Sequence, residues 1–127
     1  MLIDTHILLW FQLGDTSLNT ADINVIKKAH QQNTLYLSAI SIWEIAMLQS
    51  HGRISLHQPI DKWIERATKG IQVIPINTEI AIESTMLPNY QHKDPANRFI
   101  ISTARVLGLK LLTKDEKILA YIKQGYL

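Results

Sequence analysis

The stretch His92-Lys93-Asp94-Pro95-Ala96-Asn97-Arg98-Phe99-Ile100-Ile101-Ser102-Thr103-Ala104 has the form of a helix start that holds polar groups against an apolar core. Asp94 followed by Pro95 reads as an N-cap with proline at the first helical position, where a missing N–H costs nothing. Phe99, Ile100, Ile101, Ala104, Val106 and Leu107 are so densely apolar that the helix is expected to be largely buried, and Gly108 supplies a left-handed stop. Asn97 falls one turn inside, on the same side as Asp94. A polar amide in the first turn of a buried helix needs a reason.

Downstream of Gly108, Leu109 to Leu112 is a strand closed by Thr113, Lys114, Asp115 and Glu116, and Ile118 to Leu127 forms a short helix and a terminal segment. Thr113 and Glu116 have capping-box spacing, which would reduce Asp115 to a first-turn acid that suits the helix dipole. Upstream, Asn77 or Thr78 caps a helix running through Ile80 to Met86. Ile71 to Ile76 is a strand with Pro75 at its end, where proline does no harm. Pro59 opens a helix with Ile60, Trp63, Ile64 and Ala67 on one stripe and Asp61, Lys62, Glu65 and Arg66 on the other, a solvated face.

Leu35 to Leu37 is a compact strand that leads into Ser-Ile-Trp-Glu-Ile-Ala-Met-Leu-Gln, residues 41–49. Ser41 and Glu44 again match a capping box, but Ile42, Trp43, Ile45 and Ala46 predict burial all round, and a buried glutamate is costly unless paired, hydrogen bonded or bound to a cation. Leu18 to Ala29 carries an irregular helical pattern. At the start, Met1 to Asp4 is a strand that ends in a carboxylate, followed by a helical run through Ile7, Leu8, Leu9, Trp10 and Phe11. Asp4 either caps that helix or lies in a ligand crevice, since parallel α/β sheets bind at the C-terminal ends of their strands.

Strands alternating with helices predict one three-layer α/β domain over residues 1–127, with a mainly parallel central sheet of four or five strands. On that topology Asp4, Glu44 and Asp115 share a location, each at or just after a strand's C-terminal end, and the Asp94 to Asn97 helix start joins them. Carboxylates gathered at one mouth repel one another unless a cation compensates. Oxygen ligands without a paired-histidine motif suit Mg²⁺ or Mn²⁺ rather than zinc.

With 127 residues and 46% hydrophobic content the chain is long enough to bury a core unaided. It has no cysteine, which excludes disulfides, thiolate zinc sites and cysteine nucleophiles. No apolar run approaches membrane-spanning length and the start lacks the marks of a signal peptide, so a cytoplasmic protein without a membrane partner is expected. A net charge of +2 permits a polyanionic partner without demanding one. Neither Gly-x-Gly-x-x-Gly nor a P-loop is present, which argues against a nucleotide-binding domain.

The segments Leu2–Trp10, Ser38–Leu48, His92–Ala104 and Leu109–Asp115 together resemble a PIN-domain ribonuclease of the VapC-type toxin branch of bacterial toxin–antitoxin pairs, nearly end to end. The resemblance implies a PIN-like fold and endonucleolytic cleavage of a structured RNA such as tRNA or ribosomal RNA, with Mg²⁺ or Mn²⁺. A homodimer and a cognate antitoxin that covers the site are also implied. By position, Asp4 and Glu44 match the family's first two acids and Asp115 the fourth. The third departs. Relatives commonly read Asp-Pro-x-Asp-Arg, and this chain has Asn97 where the second aspartate is expected; Asp94 matches the earlier one.

Metal ligation is therefore expected from Asp4, Glu44, Asp94, Asn97 and Asp115, with Asp4, Glu44, Asn97 and Asp115 at the chemistry. Asn97 is either an engineered replacement that disarms the nuclease or a natural residue for which Asp94 or a metal-bound water compensates. An inactive module that binds antitoxin or RNA without turnover is the alternative. Thr113 and Thr5 are placed to orient a carboxylate. His6, His92, Lys93, Arg98 and Lys114 are either phosphate contacts or solvated side chains. Trp10, Trp43 and Trp63 are assigned to core or dimer contacts rather than to base stacking.

Overall fold

A strand of only two residues lies inside the sheet. In a computed structural model that describes all 127 residues, β1 (Leu2–Ile3) pairs in parallel with β2 (Tyr36–Ser38) on one side and with β4 (Leu111–Leu112) on the other. The third strand, β3 (Gln72–Ile74), adds outside β2, giving a four-stranded, wholly parallel sheet in the order β3-β2-β1-β4. Two residues suffice for β1 because both are fully buried and they point to opposite faces. Ile3 enters the core shared by α1 (Thr5–Leu13), α2 (Thr20–Gln31), α3 (Ala39–Ser50) and α4 (Ile60–Ala67), whereas Leu2 enters the core beneath α6 (Pro95–Leu107) and α7 (Glu116–Lys123). Helices on both faces make the expected three layers. The remaining helix, α5 (Thr78–Ser84), packs on α6.

The opening stretch behaves as its residues dictate. Asp94 caps α6, accepting from the Asn97 N–H at 3.3 Å; Pro95 is the first helical residue; and Gly108 ends the helix at φ 64°. Ile100, Ile101 and Ala104 are buried, but Leu107 is 44% exposed, so the helix is buried on one side rather than throughout. Since α6 ends where β4 begins, its first turn lies at the opposite edge of the sheet, beside the C-terminal ends of the strands.

Both proposed capping boxes at the site are corrected by the structure. Helix α3 starts at Ala39, and Ser38 caps it by accepting from the Ile40 N–H at 3.2 Å, so Ser41 lies inside the helix and Glu44 has no cap to serve. Strand β2 is correspondingly shifted to Tyr36–Ser38. At α7 the cap is Asp115, whose Oδ1 accepts from the N–H groups of Lys117 and Ile118 at 2.9 and 3.1 Å, and Thr113 is free for other work. At α3 the last strand residue itself takes the cap, so the helix starts three residues earlier than the box required, whereas at α7 the cap falls two residues beyond Thr113.

Candidate active site

The strand order decides the site. With β2 and β4 flanking β1, the residues that follow the three strands become neighbours although the chain separates them widely. Asp4 is central and 5% exposed, with both carboxylate oxygens engaged: Oδ1 accepts from the Thr5 N–H at 2.7 Å and Oδ2 from the Thr113 hydroxyl at 2.7 Å. It is the N-cap of α1 and lies at the C-terminal end of β1, so capping does not remove it from the sheet edge. Thr113 also accepts from the Asp115 N–H at 3.0 Å, which ties the ends of β1 and β4 together. Thr5 donates its hydroxyl to Ser41 of α3 at 2.8 Å, tying in the third segment. Thr113 thus orients a carboxylate with its hydroxyl, whereas Thr5 spends its hydroxyl on Ser41 and holds Asp4 by its backbone N–H.

Asp115 is half-buried and its Oδ2 accepts from Asn97 Nδ2 at 3.3 Å, so the first turn of α6 reaches the same place. Glu44 is half-buried on α3. Burial pushes the Asp4 carboxyl above its ordinary value, with the Asp115 charge adding to it and the bonds from Thr113 and Thr5 opposing it. Glu44 is likewise raised, first by burial and then by the charges of Asp4 and Asp94, against the Thr5 hydroxyl. Carboxylates that raise one another in this way hold excess negative potential that a cation would relieve.

The donor chemistry thus fits a hard divalent ion, all oxygen and mostly anionic. No three His, Asp or Glu side chains, however, close into a ready-made cation cage. Asp4, Asp94 and Asp115 each cap a helix, Glu44 caps none, and the third position holds the neutral Asn97. Asp94 is exposed and spends an oxygen on capping α6, which leaves it at the rim. Asp94→Ala is expected to cost about 1 kcal/mol, read as a shift in the urea midpoint, with Asp94→Ser recovering most of it. An unchanged midpoint would show that the cap bond contributes nothing.

The candidate phosphate contacts separate. Lys114 is paired with Asp22 at 3.0 Å, while His6, His92 and Lys93 are exposed at the mouth. Arg98 is neither a phosphate ligand nor a solvated side chain. Its Nε donates to the His92 carbonyl at 2.8 Å, Nη1 to that of Ser84 at 3.0 Å and Nη2 to that of Tyr90 at 2.7 Å, and it lies 5.4 Å from the Tyr90 ring centroid. Trp63 is core, but Trp43 is 49% exposed beside Glu44, contrary to the burial expected of its segment.

Tyr90 escaped the sequence reading altogether. A turn through Pro88 and Asn89, the latter at φ 58° in the left-handed region that asparagine tolerates, aims it inward. It is 5% exposed, packed edge-on against Tyr121 at 5.0 Å, and its hydroxyl lies against Asn97 without closing a hydrogen bond. Burial raises the Tyr90 phenol, with Asn97 opposing and the Asp115 and Asp94 charges reinforcing the shift. No local pattern marks such a residue. The largest surface groove, lined by Glu79, Glu83, Arg105, Lys110 and Tyr126 among others, shares no residue with this cluster.

Comparison with known proteins gives concordant results. The family profile described as PIN domain matches residues 1–123. Ribonuclease VapC22 of Mycobacterium tuberculosis (strain ATCC 25618 / H37Rv) is 30% identical over 118 residues, spanning 93% of this chain and 88% of that protein. A solved structure described as a toxin–antitoxin complex from Klebsiella pneumoniae aligns at a TM-score of 0.63 and 22% identity, over 95% of this chain and 91% of that one, which is a likeness of fold.

Proposed function

Since the chain belongs to the PIN-domain family, in its VapC-type ribonuclease branch, we propose that it is a divalent-metal-dependent endoribonuclease toxin, cutting a structured RNA such as tRNA or ribosomal RNA. A cognate antitoxin restrains it. The observation that carries the reading is the linkage of Asp4 to Asp115 through Thr113, with the charges of Asp4 and Asp94 both acting on Glu44: acids from four separate segments influence one another at one sheet edge instead of each serving only its own helix.

Asp4, Glu44 and Asp115 would hold Mg²⁺ or Mn²⁺, with the Asn97 carbonyl as a weak neutral donor and Asp94 at the rim. The ion, when bound, supplies an acidified water and offsets charge on the phosphate. The chain's own contributions are positional. Thr113 and the Thr5 N–H fix both oxygens of Asp4, the α7 N-terminus fixes Asp115, and His6, His92 and Lys93 offer cationic or donor groups to the RNA backbone at the rim. No helix is long and apolar enough to cross a membrane; a toxin that cuts tRNA or ribosomal RNA would act in the cytoplasm, where that RNA is. Exposed Trp43, Ile82 and Met86 are apolar surface available to a homodimer.

Asn97 weakens the site by one charge. Two charges about 4 Å apart interact by up to ~4 kcal/mol at an effective dielectric of ~20, so even a fraction of that matters to a divalent ion. Cleavage of a tRNA and rRNA pool is expected to require Mn²⁺ or Mg²⁺, to stop with EDTA, and to rise roughly tenfold in Asn97→Asp. Equal activity of the two chains would overturn the disarming role of Asn97, and cleavage that survives EDTA would overturn the metal-dependent reading. Absence of turnover in both chains would favour a module that binds antitoxin or RNA without cutting.

A further inference from the structure

We propose that Tyr90 is a positioning residue for this centre, acting through Asn97 to hold Asp115, and that residue 97 serves here as a hydrogen-bond bridge more than as a metal ligand. The inference rests on the reading of Asp115 as part of the cleavage site.

Tyr90 is 95% covered and its hydroxyl is the one buried side-chain polar atom in the chain with no hydrogen-bond partner. Such a group demands an explanation, since buried hydroxyls are almost always satisfied. The first turn of α6 lies beside it: Arg98 holds the Tyr90 carbonyl and sits over its ring, and Asn97, the residue before Arg98, acts on the phenol together with the Asp115 and Asp94 charges. Donor and acceptor types fix how the three can connect. Asp115 only accepts, so Asn97 must turn Nδ2 towards it, as it does at 3.3 Å, and the amide oxygen is then left to accept from the phenol. A bond from the phenol to that oxygen would complete a chain from Tyr90 through Asn97 to Asp115.

The bridge also explains why an amide can occupy this position. An aspartate at residue 97 would set one carboxylate against another where Asn97 and Asp115 now meet, an arrangement that needs a cation or a shared proton. The amide joins them without either. Tyr90 is kept in place from outside the site: Arg98 binds its carbonyl and covers its ring, and Tyr121, itself donating to the Pro88 carbonyl at 2.6 Å, packs on it edge-on. Asp115 is thereby held from two directions, by its own helix and by a loop from the far side of α6.

The test uses the full chain and Tyr90→Phe, which keeps the ring and its packing. In EDTA, the side-chain amide signals of Asn97 in a ¹H–¹⁵N spectrum are expected to shift and to exchange faster with solvent in Tyr90→Phe; unchanged signals would overturn the bridge. Titrated with Mn²⁺ alone, Tyr90→Phe is expected to bind roughly tenfold more weakly, and to have no such effect in an Asn97→Ala background. An equal loss in both backgrounds would overturn action through Asn97. If the unmodified chain binds no Mn²⁺, the metal-dependent reading fails by itself, and the amide signals still decide the bridge.

Discussion

Asp4→Asn is expected to lower RNA cleavage by about 10²-fold or more, equivalent to ~3 kcal/mol or more of lost transition-state stabilisation, while leaving the fold at least as stable in EDTA. The two effects share one cause. Asp4 sits at the centre of the sheet edge, buried, and its carboxyl is raised chiefly by that burial. Asparagine keeps the shape and accepts from the Thr5 N–H, and its Nδ2 can donate to Thr113, whose oxygen already accepts from the Asp115 N–H. What disappears is a charge that costs stability when uncompensated and that cleavage requires.

The pH dependence follows with a definite sign. Asp4 and Glu44 have folded-state pKa values above their unfolded ones, so their favourable contribution is complete below the unfolded values of about 3.9 and 4.3 and is lost as the pH rises through the folded values. In EDTA, Asp4→Asn/Glu44→Gln should therefore gain in melting temperature over the unmodified chain between pH 4 and pH 7. Saturating Mn²⁺ should cancel that advantage by stabilising only the chain that has the charges. Parallel melting curves across the pH range would mean that neither carboxyl is under strain, and the case for a cation at this mouth would lose its electrostatic support.

Arg98→Ala is expected to destabilise the fold by about 2–4 kcal/mol, a fall in melting temperature of roughly 8–15 °C. The magnitude comes from what is left behind. Three carbonyls, of Ser84, Tyr90 and His92, lose a charged donor at once, and the ring of Tyr90 loses its cover. Arg98→Lys should recover only a minor part, because an ammonium cannot reproduce three bonds spread by a planar fork. Since Tyr90 and His92 lie on the loop that Arg98 gathers, Mn²⁺ affinity should fall with stability. A loss under 1 kcal/mol would show that water replaces the guanidinium freely.

Arg98 also shows where reading by sequence stops. Its neighbours in the chain, Asp94, Pro95 and Asn97, invited a phosphate-binding role, yet its partners lie 6, 8 and 14 residues back. The capping-box alternatives, Ser41 with Glu44 and Thr113 with Glu116, fail for a related reason. A spacing of three residues is necessary for a capping box but says nothing about where the helix starts, and Ser38 and Asp115 take the caps instead. Trp43 was read as buried from an apolar run, but the helix turns one face outward.

The sequence by itself determined the alternation of strand and helix, the Asp94–Pro95 start and Gly108 stop of α6, and the acids at strand ends, because capping, backbone restriction and hydrophobic period act within a few residues. Only the tertiary structure decided that Thr113 serves Asp4, that Arg98 gathers a loop, that Asn97 faces Asp115, and that a tyrosine from outside every recognisable pattern reaches the same place. Those contacts depend on strand order and on the direction of side chains across the folded sheet edge, distances that no local interaction encodes.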